Sequence, residues 1–170
     1  MTSSSAKRAA FGGIFASTAL IFSYLETLIP LGNLVLIPGF KLGLANVCVM
    51  LGVYYLGALD GFFIMLCKTV LTAILFGTPV SFAFSLCGGI LAFLFTVFCK
   101  YVIKEKISFV GVAVGSAALH NIGQTLVAAL IFKDASVLWY LEWLMPVSVI
   151  TGIITGCLAL TFKKITEKRL

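Results

Sequence analysis

The sequence contains few of the side chains from which catalytic sites are usually built. Of its 170 residues, 11% are charged, one is histidine, and no two of the six acids lie within four residues of each other. Acid-rich motifs that hold Mg²⁺ against phosphate groups are therefore missing. The G-x-x-x-x-G-K-[ST] loop that cradles ATP is missing as well. We expect that the chain is not an enzyme and that separate subunits would hydrolyse any ATP.

Cysteine is present, but not in a pattern that binds metal or forms a disulfide framework. The five cysteines are an odd number, include no C-x-x-C pair, and fall inside or at the ends of apolar runs. They are Cys48, Cys67, Cys87, Cys99 and Cys157. Cysteines in such positions are typical small buried hydrophobic residues. With a single histidine and scattered thiols, we expect neither a metal site nor a cofactor.

Apolar residues dominate what remains. They make up 61% of the chain, and the mean hydropathy is +1.16, whereas soluble proteins are roughly 45–50% apolar and about 25% charged. The apolar runs are continuous rather than alternating, so the composition predicts an all-α integral membrane protein of one domain, residues 1–170. At about 20 residues per crossing, six spans are predicted. They cover residues 9–29, 41–56, 62–76, 80–101, 109–132 and 142–162.

Basic residues are distributed unequally between the two sides of this six-span arrangement. Nine fall on the side of the termini, whereas Lys41 and Lys133 fall on the other side. The positive-inside rule therefore predicts that both termini are cytoplasmic. It also predicts that the apolar loop Pro30–Phe40 and the short loop Lys133–Val137 lie outside. The net charge of +6 is then a topology signal, and we expect no binding of nucleic acid.

Several polar residues lie within these apolar spans. Such residues are functional candidates by default, because hydrocarbon tolerates them only when protein or water satisfies them. Four lie near mid-span: Lys68, His120, Asn121 and Gln124. Four more lie near the outer ends of their spans: Glu26, Lys41, Asn46 and Glu142. Together they predict a polar cavity that opens outwards beneath Pro30–Phe40, although each group could instead only hydrogen-bond to a neighbouring helix.

Small residues form stripes along the first span, at spacings of three and four. Ala9, Gly12, Gly13 and Ala16 belong to these stripes. Small residues let two helix backbones approach closely. The stripes predict a tight helix contact, either inside the protein or with a partner subunit.

A set of motifs resembles one family of membrane proteins. The set comprises Glu26 ahead of Pro30, the run KLGLAN at 41–46, Lys68, Phe76-Gly77, Ser85 with Gly88-Gly89, and HNxxQ at 120–124. From about Ala9 to Phe162 the chain resembles the Gx transporters, also called heptaprenyl diphosphate synthase component I. Proteins of that family look like the substrate-capture (S) components of energy-coupling factor (ECF) importers, a branch of the ATP-binding cassette systems.

This resemblance implies a fold, a location and a set of partners. It implies six helices, both termini inside, and a multi-pass protein of the prokaryotic cell membrane. A small vitamin-like micronutrient or precursor would bind near the outer face, beneath the loop after the first helix. Ala9, Gly12, Gly13 and Ala16 would face an ECF transmembrane coupling subunit that works with ATPase subunits, although this chain lacks a plain A-x-x-x-A there. A stand-alone secondary transporter or channel is the alternative, and a membrane subunit of prenyl diphosphate synthesis is less favoured.

Overall fold

The computed structural model describes residues 2–28, 41 and 43–167. This part of the chain is helical and contains no strand, which confirms the predicted all-α class. Its six α-helices are α1 (Thr2–Leu28), α2 (Asn46–Leu56), α3 (Ala58–Phe76), α4 (Pro79–Phe98), α5 (Phe109–Phe132) and α6 (Leu141–Glu167). Five segments are long and apolar enough to cross a membrane. They are Ala6–Leu28, Ala58–Phe76, Pro79–Ile103, Phe109–Phe132 and Ala135–Lys164.

Helix α2 departs from the predicted six full spans. It begins at Asn46 rather than Lys41 and has 11 residues, about 16 Å at 1.5 Å per residue. A hydrocarbon core is about 30 Å thick, so α2 crosses only part of it. The backbone ahead of it is not helical, because Gly43 has a positive φ of 82°. The predicted loop Pro30–Phe40 lies outside the described residues.

The hairpin between α2 and α3 is tighter than the predicted spans 41–56 and 62–76 imply, since these leave five residues between the helices. A single residue, Gly57, separates the two helices, with φ at 117°. This conformation strongly favours glycine. The Gly57 N–H donates to the carbonyls of Gly52 and Val53 and so closes the end of α2. Helix α3 therefore begins at Ala58, four residues before the predicted start of the third span.

The remaining connections are short and locally hydrogen-bonded. Helix α4 starts with Pro79 after Thr78, whose side chain accepts a hydrogen bond from the Ser81 N–H. It runs on through a π-helical turn, Cys99–Ile103, and a 3₁₀ turn, Lys104–Lys106. Between α5 and α6, Asp134 accepts hydrogen bonds from the Ser136 hydroxyl and N–H, which lower the pKa of its carboxyl.

Glycines set how closely the helices pack around α5, which lies between α4 and α6. A Cβ added at Gly123 of α5 would stand 2.8 Å from the Gly88 Cα of α4. On α6, a Cβ at Gly152 would stand 2.4 Å from the Val114 Cα, and one at Gly156 2.6 Å from the Val110 Cα. The backbones of these helices therefore approach each other closely. Small residues at helix interfaces allow such close packing in membrane proteins.

The Gly123 contact makes a testable prediction about packing. Changing Gly123 to Ala inserts a methyl group against the Gly88 backbone, which cannot move aside as a side chain could. We expect the Gly123→Ala variant to lose about 1–3 kcal/mol of stability, seen as a lower melting temperature in detergent. Gly13→Ala is the matched control, because nothing lies within 4 Å of a Cβ at Gly13. Equal melting temperatures for both variants would contradict the close contact.

Candidate functional site

The structure gathers seven of the eight predicted polar site residues inside the protein. Glu26, Lys41, Asn46, Lys68, His120, Asn121 and Gln124 are each at most 8% exposed. They come from α1, α2, α3, α5 and the non-helical segment ahead of α2. Glu142 differs, because it is exposed in the first turn of α6. A carboxylate there is stabilised by the helix dipole, and Glu142 does not line the internal cavity described below; its role in binding stays a prediction.

Gln124 and Glu26 hold the backbone ahead of α2. The Lys41 N–H donates to Gln124 Oε1 at 3.0 Å, and Gln124 Nε2 donates to the Lys41 carbonyl at 2.8 Å. The Leu44 N–H donates to Glu26 Oε1. Non-helical backbone at membrane depth needs protein partners, because lipid supplies none. Both side chains therefore have a structural task that the sequence did not reveal.

Asn121 also bonds within the protein. Its Nδ2 donates to Ser148 Oγ at 2.7 Å, and Ser148 in turn donates to the Leu144 carbonyl. This pair joins α5 to α6 with no contribution from a ligand. The sequence left open whether Asn121 and Gln124 contact a ligand or only hydrogen-bond to neighbouring parts of the protein. The bonds seen in the structure are of the second kind.

Lys68 and Asn46 form the polar link between α3 and the start of α2. Lys68 Nζ donates to Asn46 Oδ1 at 2.8 Å. This bond fixes which atom of the Asn46 amide is the oxygen, so Nδ2 points the other way. That Nδ2 is buried and has no hydrogen-bond partner among the described residues. Asn46 also lines a small cavity together with Ser116, Thr151 and Thr155.

The remaining polar groups surround a small cavity between α1, α3, α4 and α5. All of its lining residues are polar: Ser23, Glu26, Lys41, Lys68, Thr69, Thr72, Ser85 and His120. Its free volume is about 10 Å³, enough for about one water molecule. Three buried atoms on this lining have no partner within the described part of the chain. They are Thr72 Oγ1, Ser85 Oγ and His120 Nδ1.

Sequence reasoning missed part of this lining. Thr69 and Thr72 were not identified, although Thr72 follows Lys68 by four residues and so lies on the same face of a helix. Ser85 was noted only as a small residue and as part of a family motif. A search for hydroxyl residues at helical spacing from Lys68 would have found Thr72.

The charges around the cavity do not cancel. Two lysines and one carboxylate line it. No ion pair within 4 Å joins Lys41 or Lys68 to the Glu26 carboxylate, and the Arg8–Asp60 pair lies elsewhere. Neither lysine is therefore in direct contact with the Glu26 carboxylate. The site is therefore suited to a group that carries negative charge.

Together, the fold and the site define a multi-pass helical membrane protein with an internal polar site. The family model described as heptaprenyl diphosphate synthase component I matches residues 15–162. The chain belongs to this family, and the resemblance seen in KLGLAN and HNxxQ is confirmed. The matched range contains all seven buried site residues, whereas Ala9, Gly12 and Gly13 precede it. No curated protein and no solved structure matches the chain.

The two Gln124 hydrogen bonds make a prediction about stability. Changing Gln124 to Leu leaves the buried N–H and carbonyl of Lys41 without partners, at about 1–3 kcal/mol for each group. We expect Gln124→Leu to lower the melting temperature strongly. Gln124→Glu should have a smaller effect, because it keeps an acceptor for the Lys41 N–H.

Thr125→Val is the matched control for this prediction. Thr125 Oγ1 is buried, but it donates to the Asn121 carbonyl of its own helix at 2.9 Å. Its loss leaves no distant backbone group unpaired. If Thr125→Val were as damaging as Gln124→Leu, the clamp on Lys41 would not be what stabilises this region.

Proposed function

We propose that this protein is the substrate-binding S component of an ECF-type importer. It would capture a small anionic or zwitterionic micronutrient, or its precursor, from outside the cell. Membership of the family described as heptaprenyl diphosphate synthase component I agrees with this proposal, because that family resembles such components. The proposal for the ligand rests mainly on one observation, the small polar cavity with an excess of positive charge and three atoms that have no partner among the described residues.

Four polar groups of the cavity lining have a chemically reasonable part in binding. Lys68 would donate to an anionic group of the ligand and give up or share its bond to Asn46. The hydroxyls of Thr72 and Ser85 can both donate and accept. A neutral His120 can do the same through its two ring nitrogens. This combination suits a ligand that carries a carboxylate or phosphate together with neutral polar atoms.

Ligand entry requires movement, because a cavity with room for about one water is too small for a vitamin-like molecule. The short segment ahead of α2, of which the structure describes Lys41 and Gly43–Ala45, is the natural element to move. These described residues are outside the helices, and the bonds from Gln124 and Glu26 hold Lys41 and Leu44 in place. A ligand that competed for these groups would release the segment without unfolding a helix. We therefore propose that this segment forms the moving side of the site.

Partner docking belongs to the same proposal. Ala9 and Gly13 lie on the exposed side of α1, and Gly12 and Ala16 are partly exposed. By contrast, Ala19, Ser23 and Glu26 of the same helix face the interior. The exposed stripe would receive the transmembrane coupling subunit, and the ATPase subunits would supply energy, since the sequence has no ATP-binding loop.

The family's name also mentions a synthase, but we propose a non-enzymatic role. The six acids of the chain are dispersed, and no group of three histidine, cysteine or acidic side chains lies together in the described residues. Handling a diphosphate with Mg²⁺ needs clustered carboxylates. If a synthase complex includes this chain, its catalytic carboxylates must come from another subunit.

A stand-alone secondary transporter is the second candidate. The half-length helix α2 favours it, because discontinuous helices form the substrate sites of many secondary transporters. Reconstitution separates the two candidates. If liposomes that contain this chain alone take up substrate when an ion gradient is applied, the secondary transporter is favoured. Uptake that requires the coupling and ATPase subunits with ATP would favour the S component.

Lys68 and His120 provide the test of the site itself. If they contact ligand, Lys68→Met and His120→Ala should each weaken binding by about 1–3 kcal/mol. The ligand would first be identified by mass spectrometry of small molecules that co-purify with the protein. Binding and thermal stability are then measured side by side. A merely structural lysine would affect stability rather than affinity.

Glu142→Gln is the control for the site variants. It removes a charge that the sequence assigned to the site but that is exposed at the start of α6. We expect it to bind like wild type. Wild-type affinity in both Lys68→Met and His120→Ala would reject the cavity as the ligand site.

The small-residue stripe has its own test. Gly13→Leu places a bulky side chain where nothing lies within 4 Å, so the isolated protein should fold and bind ligand normally. If α1 docks the coupling subunit, co-purification of the complex should fall at least severalfold, since small stripes act through close backbone approach. Cys157→Leu, at an exposed small residue of α6, should leave assembly unchanged. Intact assembly of Gly13→Leu would reject this face as the interface.

A further inference from the structure

A second and much larger concave surface lies at the end of the bundle where α4 leads into α5. We call it the basic groove. It has a volume of about 1230 Å³, and four lysines line it: Lys100, Lys104, Lys106 and Lys163. Tyr54 and Phe109 contribute aromatic rings to its wall. The polar cavity of the proposed substrate site shares no lining residue with this groove.

Two of these lysines are positioned by contacts to the groove wall. Lys100 Nζ donates to the Val53 carbonyl at 2.6 Å, and it lies 5.0 Å from the centre of the Tyr101 ring. Lys163 Nζ lies 5.3 Å from the centre of the Phe109 ring. These contacts hold positive charge at the ends of three helices, α2, α4 and α6. The wall of the groove therefore depends on contacts between residues that are far apart in the sequence.

The other two lysines lie on an unusual backbone. Lys104 and Lys106 are exposed and follow the π-helical turn Cys99–Ile103. Lys104 has φ at 59° and ψ at −131°, a conformation that costs a residue with a side chain on the order of 1–3 kcal/mol. The positive-inside rule explains why lysines occur at this end of the bundle. It requires neither a strained lysine nor a groove.

The groove combines positive charge with apolar surface. Ile103, Ile107 and Leu160 lie on its lining beside the aromatic rings. A free inorganic anion would use the lysines but leave this apolar surface exposed to water. A molecule with a phosphate and hydrocarbon chains would use both. Basic pockets between membrane helices bind anionic lipid head groups in this way.

We propose that the basic groove binds the head group of an anionic phospholipid from the adjacent leaflet. Its lysines would neutralise the phosphate, and its apolar and aromatic side chains would contact the upper part of the acyl chains. Under the predicted topology this leaflet is the cytoplasmic one, which carries the anionic lipids that attract basic segments. The proposal is independent of the ligand of the internal cavity.

The test uses the full-length protein, delipidated in detergent, with phosphatidylglycerol as the probe. Native mass spectrometry counts bound lipid, and the melting temperature is measured in parallel. We expect saturable phosphatidylglycerol binding that raises the melting temperature, and much weaker binding of phosphatidylcholine. The double variant Lys104→Gln/Lys106→Gln should bind phosphatidylglycerol about 10- to 30-fold more weakly, given the usual effect of a lysine near anionic lipid.

Lys164→Gln is the matched control. Lys164 is exposed at the same end of the bundle, next to Lys163, but does not line the groove. We expect it to keep phosphatidylglycerol affinity within about twofold, since a charge outside the groove is screened by salt. Without lipid, both variants should melt like wild type, because exposed lysines contribute little to stability.

Three results would overturn the proposal. Equal binding of phosphatidylcholine would mean that phosphate charge is not recognised. An equal loss in Lys164→Gln would mean diffuse attraction to the whole basic end rather than a site. Displacement of phosphatidylglycerol by millimolar inorganic phosphate would assign the groove to a soluble phosphate compound instead of a lipid.

Discussion

A short non-helical stretch of backbone buried between the helices is the constraint that organises this structure. Lys41 and Gly43–Ala45 lie ahead of α2, largely buried among the helices, where lipid offers the Lys41 and Leu44 N–H groups no partner. Gln124 and Glu26, from two different helices, supply those partners. Because this stretch takes the place of the first turns of a helix, α2 is only 11 residues long and begins beside Lys68 and His120. The internal polar site therefore lies beside non-helical backbone, at the point where α2 begins later than predicted.

The buried polar residues consequently divide into two groups. Gln124 and Asn121 have their hydrogen bonds completed by the protein, to Lys41 and to Ser148. Thr72, Ser85 and His120 present atoms without partners in the described chain to a cavity that also contains Lys68. An unsatisfied buried polar atom costs free energy, so the second group is the one expected to gain most from a ligand. Glu26 bonds to Leu44 like the first group, but it also lines the cavity.

The two basic regions of the molecule differ in how their charges act. Lys68 is buried, so its interaction with a ligand would be screened little by salt. The lysines of the basic groove are largely at the surface, where single ion pairs contribute little and affinity needs several charges together. Close glycine contacts occur along α5 at both regions. Gly88 meets Gly123 beside the internal site, and Gly156 meets Val110 near the groove.

Composition alone determined that this is a helical membrane protein, because hydrocarbon accepts only segments that satisfy their own backbone. A few short motifs were enough to recognise the family. The burial of Lys68, His120 and Gln124 followed from their position in apolar runs. Only the tertiary structure decided what those residues touch. Gln124 bonds to Lys41, 83 residues away, and no local pattern encodes such a pair. The length of α2, the exposure of Glu142 and the unpartnered hydroxyl of Thr72 likewise depend on which helices meet, since hydrogen bonding and solvent access are properties of the packed chain.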